Sequence, residues 1–359
     1  MAVDDRGQQV AIIGSYAPPE EPGIHAVAID GMGELERRGS IGGIRNPSFL
    51  KVHPSGRHLY AVSETGLAAD GVVGGVVGLR IERSEDVVDL TPVSRRSTLG
   101  DQPCHLSIDG TGRWLFATNY GSGDVVVFPI DDDGRLGECT TRVQHVGRGA
   151  DPGRQASPHP HSSVMSPDDA FLIVADLGID QLIVYAWDTE DGALTKHGLH
   201  RSSPGSGPRT VAFHPAGRFL FLVNELASTV TVFEWDAGTA TMQEAQSIST
   251  LPVGVDVPNL AADLQFSPSG ERVYVSNRGH DSVMTFSFDP GRGLAIVGAH
   301  GSGGRWPRAM ALTPGGGQLL VANERSDQVV SLPLLGRAVD GETESRAVDI
   351  VNPSTIVLA

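Results

Sequence analysis

The sequence predicts an all-β chain of seven four-stranded antiparallel sheets closed into a ring, and three observations carry that prediction. A strand-turn-strand unit recurs six times along the chain. Turn formers are abundant, with Gly 45 and Pro 23, while a hydrophobic fraction of 40% is too large for a disordered chain. Each end of the chain holds part of a seventh unit.

The units, in order, are NPSFLKVHPSGRHLYAVSE from Asn46, QPCHLSIDGTGRWLFATNY from Gln102 and HPHSSVMSPDDAFLIVADL from His159. GPRTVAFHPAGRFLFLVNE follows from Gly207, LAADLQFSPSGERVYVSNR from Leu260 and WPRAMALTPGGGQLLVANE from Trp306. Each reads as two alternating strands joined by a four-residue turn, because Pro-Ser-Gly, Pro-Ala-Gly or Asp-Gly-Thr-Gly supplies the turn chemistry. A third strand then reads from GDVVVFPID, DQLIVYAWD, STVTVFEWD and DSVMTFSFD, and a weaker fourth from stretches such as GRLGECTTRV. Four antiparallel strands make one blade of a propeller. The anchors Pro47, Pro103, Pro160, Pro208, Ala261 and Pro307 advance by 46 to 57 residues, within reach of known blade periods. A seventh anchor is Pro353, whose tail PSTIVLA reads as a lone first strand, whereas VAIIGSY, GIHAVAID and ELERRGSI near the N-terminus read as second, third and fourth strands. The last blade is therefore expected to be shared between the two ends, which removes exposed edges and makes residues 1–359 one domain.

A formal net charge of -16 argues against nucleic acid or an anionic membrane surface as the main partner. The two cysteines, Cys104 and Cys139, form no metal-ligand or CxxC pattern and cannot make a disulfide framework for 359 residues, so a reducing cytoplasm is expected. The start MAVDDRGQQVAIIGSY is the reverse of a secretory signal, and no stretch approaches the ~18 to 20 apolar residues of a membrane-spanning helix. A monomer or weak homo-oligomer is expected, with no metal and no cofactor, since no cluster has the spacing of a zinc or calcium cage.

In a hairpin the start of the first strand lies beside the end of the second, so both places rim one mouth of the channel that first strands line. Function is expected where residues depart from the repeat. Immediately after each anchor stand Ser48, Cys104, His161, Arg209, Ala262, Arg308 and Ser354. Seventeen positions after each anchor stand Glu64, Tyr120, Leu177, Glu225, Arg278 and Glu324, with Tyr16 as the counterpart in the shared blade. The position before these is uniform (Ser63, Asn119, Asp176, Asn224, Asn277 and Asn323), and its side chains are expected to bond local turn backbone. The long connection GRGADPGRQASPHPH brings Arg148, Arg154, His159 and His161 toward the same mouth. Arg148 reads as solvated, whereas Arg154 and His161 read equally well as loop or as site. His105 reads as wall residue or ligand contact, and His280 stays undecided. His53 and His214, before Pro in turns on the opposite face, read as structural.

Together, NPSFLKVHPSGRHLYAVSE, NYGSGDVVVFPID, RQASPHPHSSV, GPRTVAFHPAGRFLFLVNE and VSNRGHDSV resemble the seven-bladed lactonase family, which includes bacterial 6-phosphogluconolactonase and fungal 3-carboxy-cis,cis-muconate lactonising enzyme. The resemblance runs from about Val10 to the C-terminus. It implies acid/base roles for His161 and Glu225 and carboxylate-holding roles for Arg209 and Arg278. Lactone hydrolysis needs a base, an acid and oxyanion donors, so His161 is taken as the base, and Arg308 is expected to join Arg209 and Arg278 in binding a phosphate or carboxylate, with Arg154 closing from its loop. His105, Tyr120 and Glu64 complete the expected contacts to a small anionic lactone. His161, Glu225, Arg209 and Arg278 are expected to converge on one solvent-accessible pocket. Leu177 and Ala262 place apolar or small groups where other blades carry polar ones, which bears on the substrate. Hydrolysis of a phosphorylated sugar lactone is the first reading. A lyase or cycloisomerase acting on a polycarboxylate is the second, and a non-enzymatic binding ring is the third, although Trp187-Asp188 and Trp235-Asp236 lack the Gly-His that precedes in WD40 blades.

Overall fold

The structure, a computed structural model, describes residues 8–84, 86–335, 338–339 and 346–359. Seven antiparallel blades form a ring. Blade 1 comprises Leu50–Val52, His58–Ser63, Gly75–Arg83 and Val88–Ser97, with a one-turn helix, Leu67–Asp70, between its second and third strands. Blade 2 comprises Pro103–Ile108, Trp114–Asn119, Asp124–Pro129 and Thr141–Gln144, so its fourth strand is the end of the GRLGECTTRV stretch and not the whole of it. Blade 3 starts at Pro160–Met165, blade 4 at Pro208–Phe213, blade 5 at Leu260–Phe266 and blade 6 at Pro307–Leu312, each followed by three more strands. In blade 6 the outer position is divided, with Arg346–Asp349 and the two-residue strand Ala338–Val339 pairing different parts of Gln328–Leu335.

Blade 7 is shared as the sequence predicts. Pro353–Leu358 pairs antiparallel with Gln9–Ser15, with Ile12 opposite Val357 and Ile13 opposite Ile356, and Ile24–Ile29 and Leu35–Ile41 complete the sheet.

Strand alternation gives each blade two apolar faces, and each face meets the next blade. Leu59, Val77 and Leu79 of blade 1 pack with Ile12 and Ile24 of blade 7, while Tyr60, Val62 and Val76 from the same strands pack with Leu115, Val126 and Phe128 of blade 2. Seven such clusters fill the seven gaps between blades.

One repeated irregularity sets the inner face. Pro103 pairs with Asn119 but His105 pairs with Thr118, which leaves Cys104 as an extra residue. The same step leaves His161, Arg209, Arg308 and Ser354 extra in blades 3, 4, 6 and 7. A β-bulge re-aims side chains and is frequent beside active sites. Here it turns the residue after these five anchors toward the ring axis.

The uniform Asn positions do more than close a local turn. Asn119, Asn277 and Asn323 donate to the carbonyls of Thr98, Thr250 and Ser302, on the crossovers arriving from the preceding blades. Asp176 likewise bonds Nδ1 of His145 at 2.6 Å while accepting from the backbone of His159 and Gly178. Asn224 instead donates to the hydroxyls of Thr229 and Thr231 in its own blade. Most of these residues are interblade ties, which sequence periodicity inside one unit cannot reveal. His53 and His214 perform the equivalent task on the other face, meeting the carbonyls of Gly112 and Gly270 in the next blade's turn.

Candidate active site

The axis of the ring holds a cavity of about 220 Å³. Its mouth tier is built from the bulged residues Cys104, His161, Arg209, Arg308 and Ser354, together with Ser48. A deeper tier follows on the same strands, with Lys51, His105, Asp263, Gln265 and Met310.

Glu225 organises one side of the mouth. Its carboxylate accepts from Arg278 at 2.6 Å, Arg209 at 3.0 Å and Arg154 at 2.5 Å. Burial alone would raise this carboxyl, but the guanidiniums of Arg278, Arg209 and Arg154 overcome it and hold the group well below the ordinary glutamate value. Glu225 is thus a fixed anion and a weak proton acceptor. Arg209 also donates to the Ala262 carbonyl at 2.5 Å. Arg278 lies over the Trp306 ring, 5.6 Å from its centroid, and burial with repulsion from Arg209 and Arg308 lowers it to about 10 despite Glu225. Arg154 comes from a loop pinned by Gln155, whose side chain donates to the Leu177 carbonyl and to Asp180.

A second polar group stands across the mouth. Arg308 donates to the Tyr16 hydroxyl at 2.6 Å and pairs with Glu324 at 3.4 Å; Tyr16 donates to Glu64 at 2.9 Å, and Ser48 also donates to Glu64. Between the two groups sits His161. Its imidazole makes no hydrogen bond among the described residues, and the edge of Tyr120 faces it at 5.7 Å while Tyr120 stacks on His159 at 4.3 Å. Burial first, then the guanidinium of Arg209, hold His161 well below the ordinary histidine value, although Glu225 opposes them. The imidazole is neutral at pH 7 and lines the cavity.

The expected residues therefore divide. His161, Arg209 and Arg308 face the cavity. Glu225 and Arg278 stand behind them and do not line it, and Arg209 is itself buried, so the expectation of four groups in one solvent-accessible pocket is corrected to two, His161 and Arg209, that line the cavity, backed by two that do not. Arg154 reaches Glu225 from outside, Glu64 is held by Tyr16 and Ser48, and His105 lies one tier deeper. Arg148 is exposed, and His280 bonds Ser282 at 2.7 Å away from the axis cavity. Lys51, Asp263 and Trp306 escaped the sequence reading, because each occupies an ordinary strand or pre-anchor position when one unit is viewed alone. Comparing units column by column would have shown Lys51 as the charged member of its column. Among the described residues, no group of three or more His, Cys, Asp or Glu side chains is placed to hold a metal ion.

A family profile described as a seven-bladed β-propeller lactonase matches residues 10–340. The chain belongs to that lactonase family. This lactonase is 31% identical over 326 residues to the 6-phosphogluconolactonase of Bacillus subtilis strain 168, covering 89% of the chain and 90% of the relative. It is 30% identical to a protein named 6-phosphogluconolactonase from Formosa agariphila, covering 83% of the chain and 84% of the relative. Among solved structures, the periplasmic gluconolactonase of Pseudomonas aeruginosa superposes with a TM-score of 0.91 at 31% identity, covering 98% of this lactonase and 99% of that chain. A putative 6-phosphogluconolactonase from Bacteroides fragilis superposes with a TM-score of 0.89 at 26% identity over the full length of both chains.

Proposed function

We propose that the lactonase hydrolyses a phosphorylated sugar lactone, 6-phosphogluconolactone, at the mouth of its axial cavity. The observation that carries the reading is a neutral His161 facing the cavity beside two cationic side chains, Arg209 and Arg308. Water donates a proton to the free imidazole as its oxygen adds to the lactone carbonyl carbon, and the guanidiniums stabilise the oxyanion that forms. Collapse of the tetrahedral intermediate breaks the bond to the ring oxygen, which takes the proton back from the His161 imidazolium. The product is the open hydroxy acid. Glu225 holds Arg209, Arg278 and Arg154 in place by charge and carries no proton in this scheme.

The relatives' names support the phosphorylated substrate, and the clustering of Arg209 and Arg308 on the cavity of a chain of net charge -16 supports an anionic one. Cys104 and Cys139 are both free, which suits a reducing cytoplasm, and the net charge of -16 suits a monomer or weak homo-oligomer that binds a small ligand rather than nucleic acid or an anionic membrane. No helix among the described residues is long and apolar enough to cross a membrane. A hydrolysis assay across phosphorylated lactones, plain sugar lactones and muconolactones tests the reading. Turnover is expected to be fastest on the phosphorylated lactone. Activity on none of the three overturns it, and preference for a muconolactone transfers the site to the cycloisomerase reading.

A further inference from the structure

The mouth tier accounts for a lactone carbonyl, but the cavity continues below it into a tier whose charge the mechanism does not use. Lys51 lies on the short first strand of blade 1, three residues beyond Ser48. At the equivalent place in the other six blades stand Ser107, Val164, Ala212, Gln265, Ala311 and Val357, so Lys51 is the one ionisable side chain in that column. Its ammonium makes no hydrogen bond or ion pair among the described residues, and it lines the cavity. A cationic group removed from bulk water with no counter-charge is costly, and burial accordingly pushes the Lys51 ammonium below the ordinary lysine value. An anion beside it would supply the missing counter-charge and favour the charged form.

The neighbouring wall presents a second donor. His105 packs against Phe49 in a tilted contact with ring centroids 4.3 Å apart, and its Nδ1 accepts from the Ser163 backbone N–H at 3.3 Å. Burial, followed by the charges of Lys51 and Arg209, lowers His105 to about 3, so the ring is neutral. A neutral imidazole that accepts at Nδ1 carries its proton on Nε2, and that N–H has no partner among the described residues. Asp263, the one carboxylate on this wall, is already satisfied by the backbone N–H groups of Leu264 and Met310, at 2.8 and 2.7 Å.

We propose that Lys51 and His105 Nε2–H form an inner anion subsite that receives the phosphate monoester of the substrate while the lactone ring stays at the His161 tier. The assignment of that phosphate to a lactone rests on the function proposed above; the subsite itself rests on the cavity, the unpaired ammonium and the unpartnered Nε2–H of His105 on the same lining. Three residues of strand carry Lys51 roughly 10 Å inward from Ser48, and one residue carries His105 roughly 3 Å inward from Cys104. A phosphate met by the lysine stem from below and by His105 from the side therefore lies within reach of a six-carbon lactone held at the mouth. The mouth arginines, most of them already bound to carboxylates, are left to act on the carbonyl.

Calorimetric titration of 6-phosphogluconate, gluconate and inorganic phosphate into the wild-type chain and the Lys51→Met and Lys51→Gln variants tests this. Wild type is expected to bind 6-phosphogluconate more tightly than gluconate, and both variants to weaken 6-phosphogluconate roughly 10- to 100-fold while the gluconate affinity moves little. The second variant carries the test if the first fails to fold. Unchanged 6-phosphogluconate affinity in a folded variant overturns the subsite. Inorganic phosphate bound as tightly as 6-phosphogluconate makes the tier a receptor for the free ion and overturns its part in substrate recognition. Binding through Lys51 by a wild-type chain that hydrolyses no phosphorylated lactone keeps the subsite and sinks the hydrolase reading, whereas hydrolysis with variants unchanged in selectivity does the reverse.

Discussion

At the scale of single residues, His161 and Glu225 have opposite electrostatic settings and should answer mutation differently. His161 is held neutral by burial and by Arg209, so its protonation lies well below its ordinary value. kcat/KM should stay level through neutrality and fall only at a pH well under about 6.5, and His161→Ala should lower kcat by roughly 10² to 10⁴. A pH profile with its acid limb near 7, or a fully active His161→Ala enzyme, would remove the base role from this residue. Glu225 is depressed by its arginines, so the stability it confers is complete above the unfolded glutamate value of about 4.3 and is lost as pH falls below that toward the folded value. Glu225→Gln strands Arg278 and Arg209 in a buried site and should cost about 3 to 5 kcal/mol at neutral pH. In urea titrations, the gap between wild type and variant should hold constant from pH 8 to 5 and narrow only below about pH 4. The sequence exposed both residues because they break a sevenfold repeat, but it could not separate their roles. Proton affinity depends on which cations surround a group, and Arg154, Arg209 and Arg278 come together on Glu225 only through three different parts of the chain.

Elements were legible where period-two alternation and turn chemistry agree. The hairpins follow from Pro and Gly at fixed offsets, and the pairing of Pro208 with Asn224 or Pro307 with Asn323 is what that spacing requires. The bulge was not legible, because one extra residue at a strand entry leaves the alternation beyond it intact. Its consequence is that two successive positions reach the axis, Cys104 and His105 or Arg209 and Thr210, and that the wall continues inward to Lys51. Close backbone approach fixes where these entries lie. Gly178 follows the second strand of blade 3, and a Cβ there would stand 2.0 Å from the Ser157 carbonyl oxygen and 2.7 Å from the His159 nitrogen. Gly178→Ala must therefore push the His159 to His161 segment away, since both atoms are backbone. A destabilisation of about 1 to 3 kcal/mol is expected, with a fall in kcat larger than any rise in KM, because the base is displaced while the phosphate tier is untouched. Equal kinetics in a folded Gly178→Ala enzyme would show that the entry of blade 3 tolerates movement and does not position His161.

At the scale of the whole molecule, the ring depends on its last seven residues. Pro353–Leu358 is the inner strand of blade 7, and it is the only covalently distant part of that blade among the described residues. Ile356 and Leu358 pack toward blade 6, Val357 and Ala359 toward blade 1, and Ser354 donates to the carbonyls of Gly14 and Ser48 on either side. Removing residues 353–359 would withdraw three large aliphatic side chains from two interblade clusters, a loss of about 1.5 to 3 kcal/mol each where burial is complete. It would also leave Gln9–Ser15 as an unpaired edge open to other chains. A typical domain is stable by only about 5 to 15 kcal/mol, so the summed loss is comparable with everything that holds the fold. A local fray is the outcome if blade 7 is independent of the rest. A ring in which every blade is supported from both sides instead transmits the loss, because blades 6 and 1 each lose a neighbour. The truncated chain should lose the cooperative thermal transition of the full-length protein and become uniformly sensitive to protease, with aggregation rising with concentration. A truncated chain that unfolds cooperatively within a few degrees of the full-length protein would mean that six blades and a partial seventh hold together without closure.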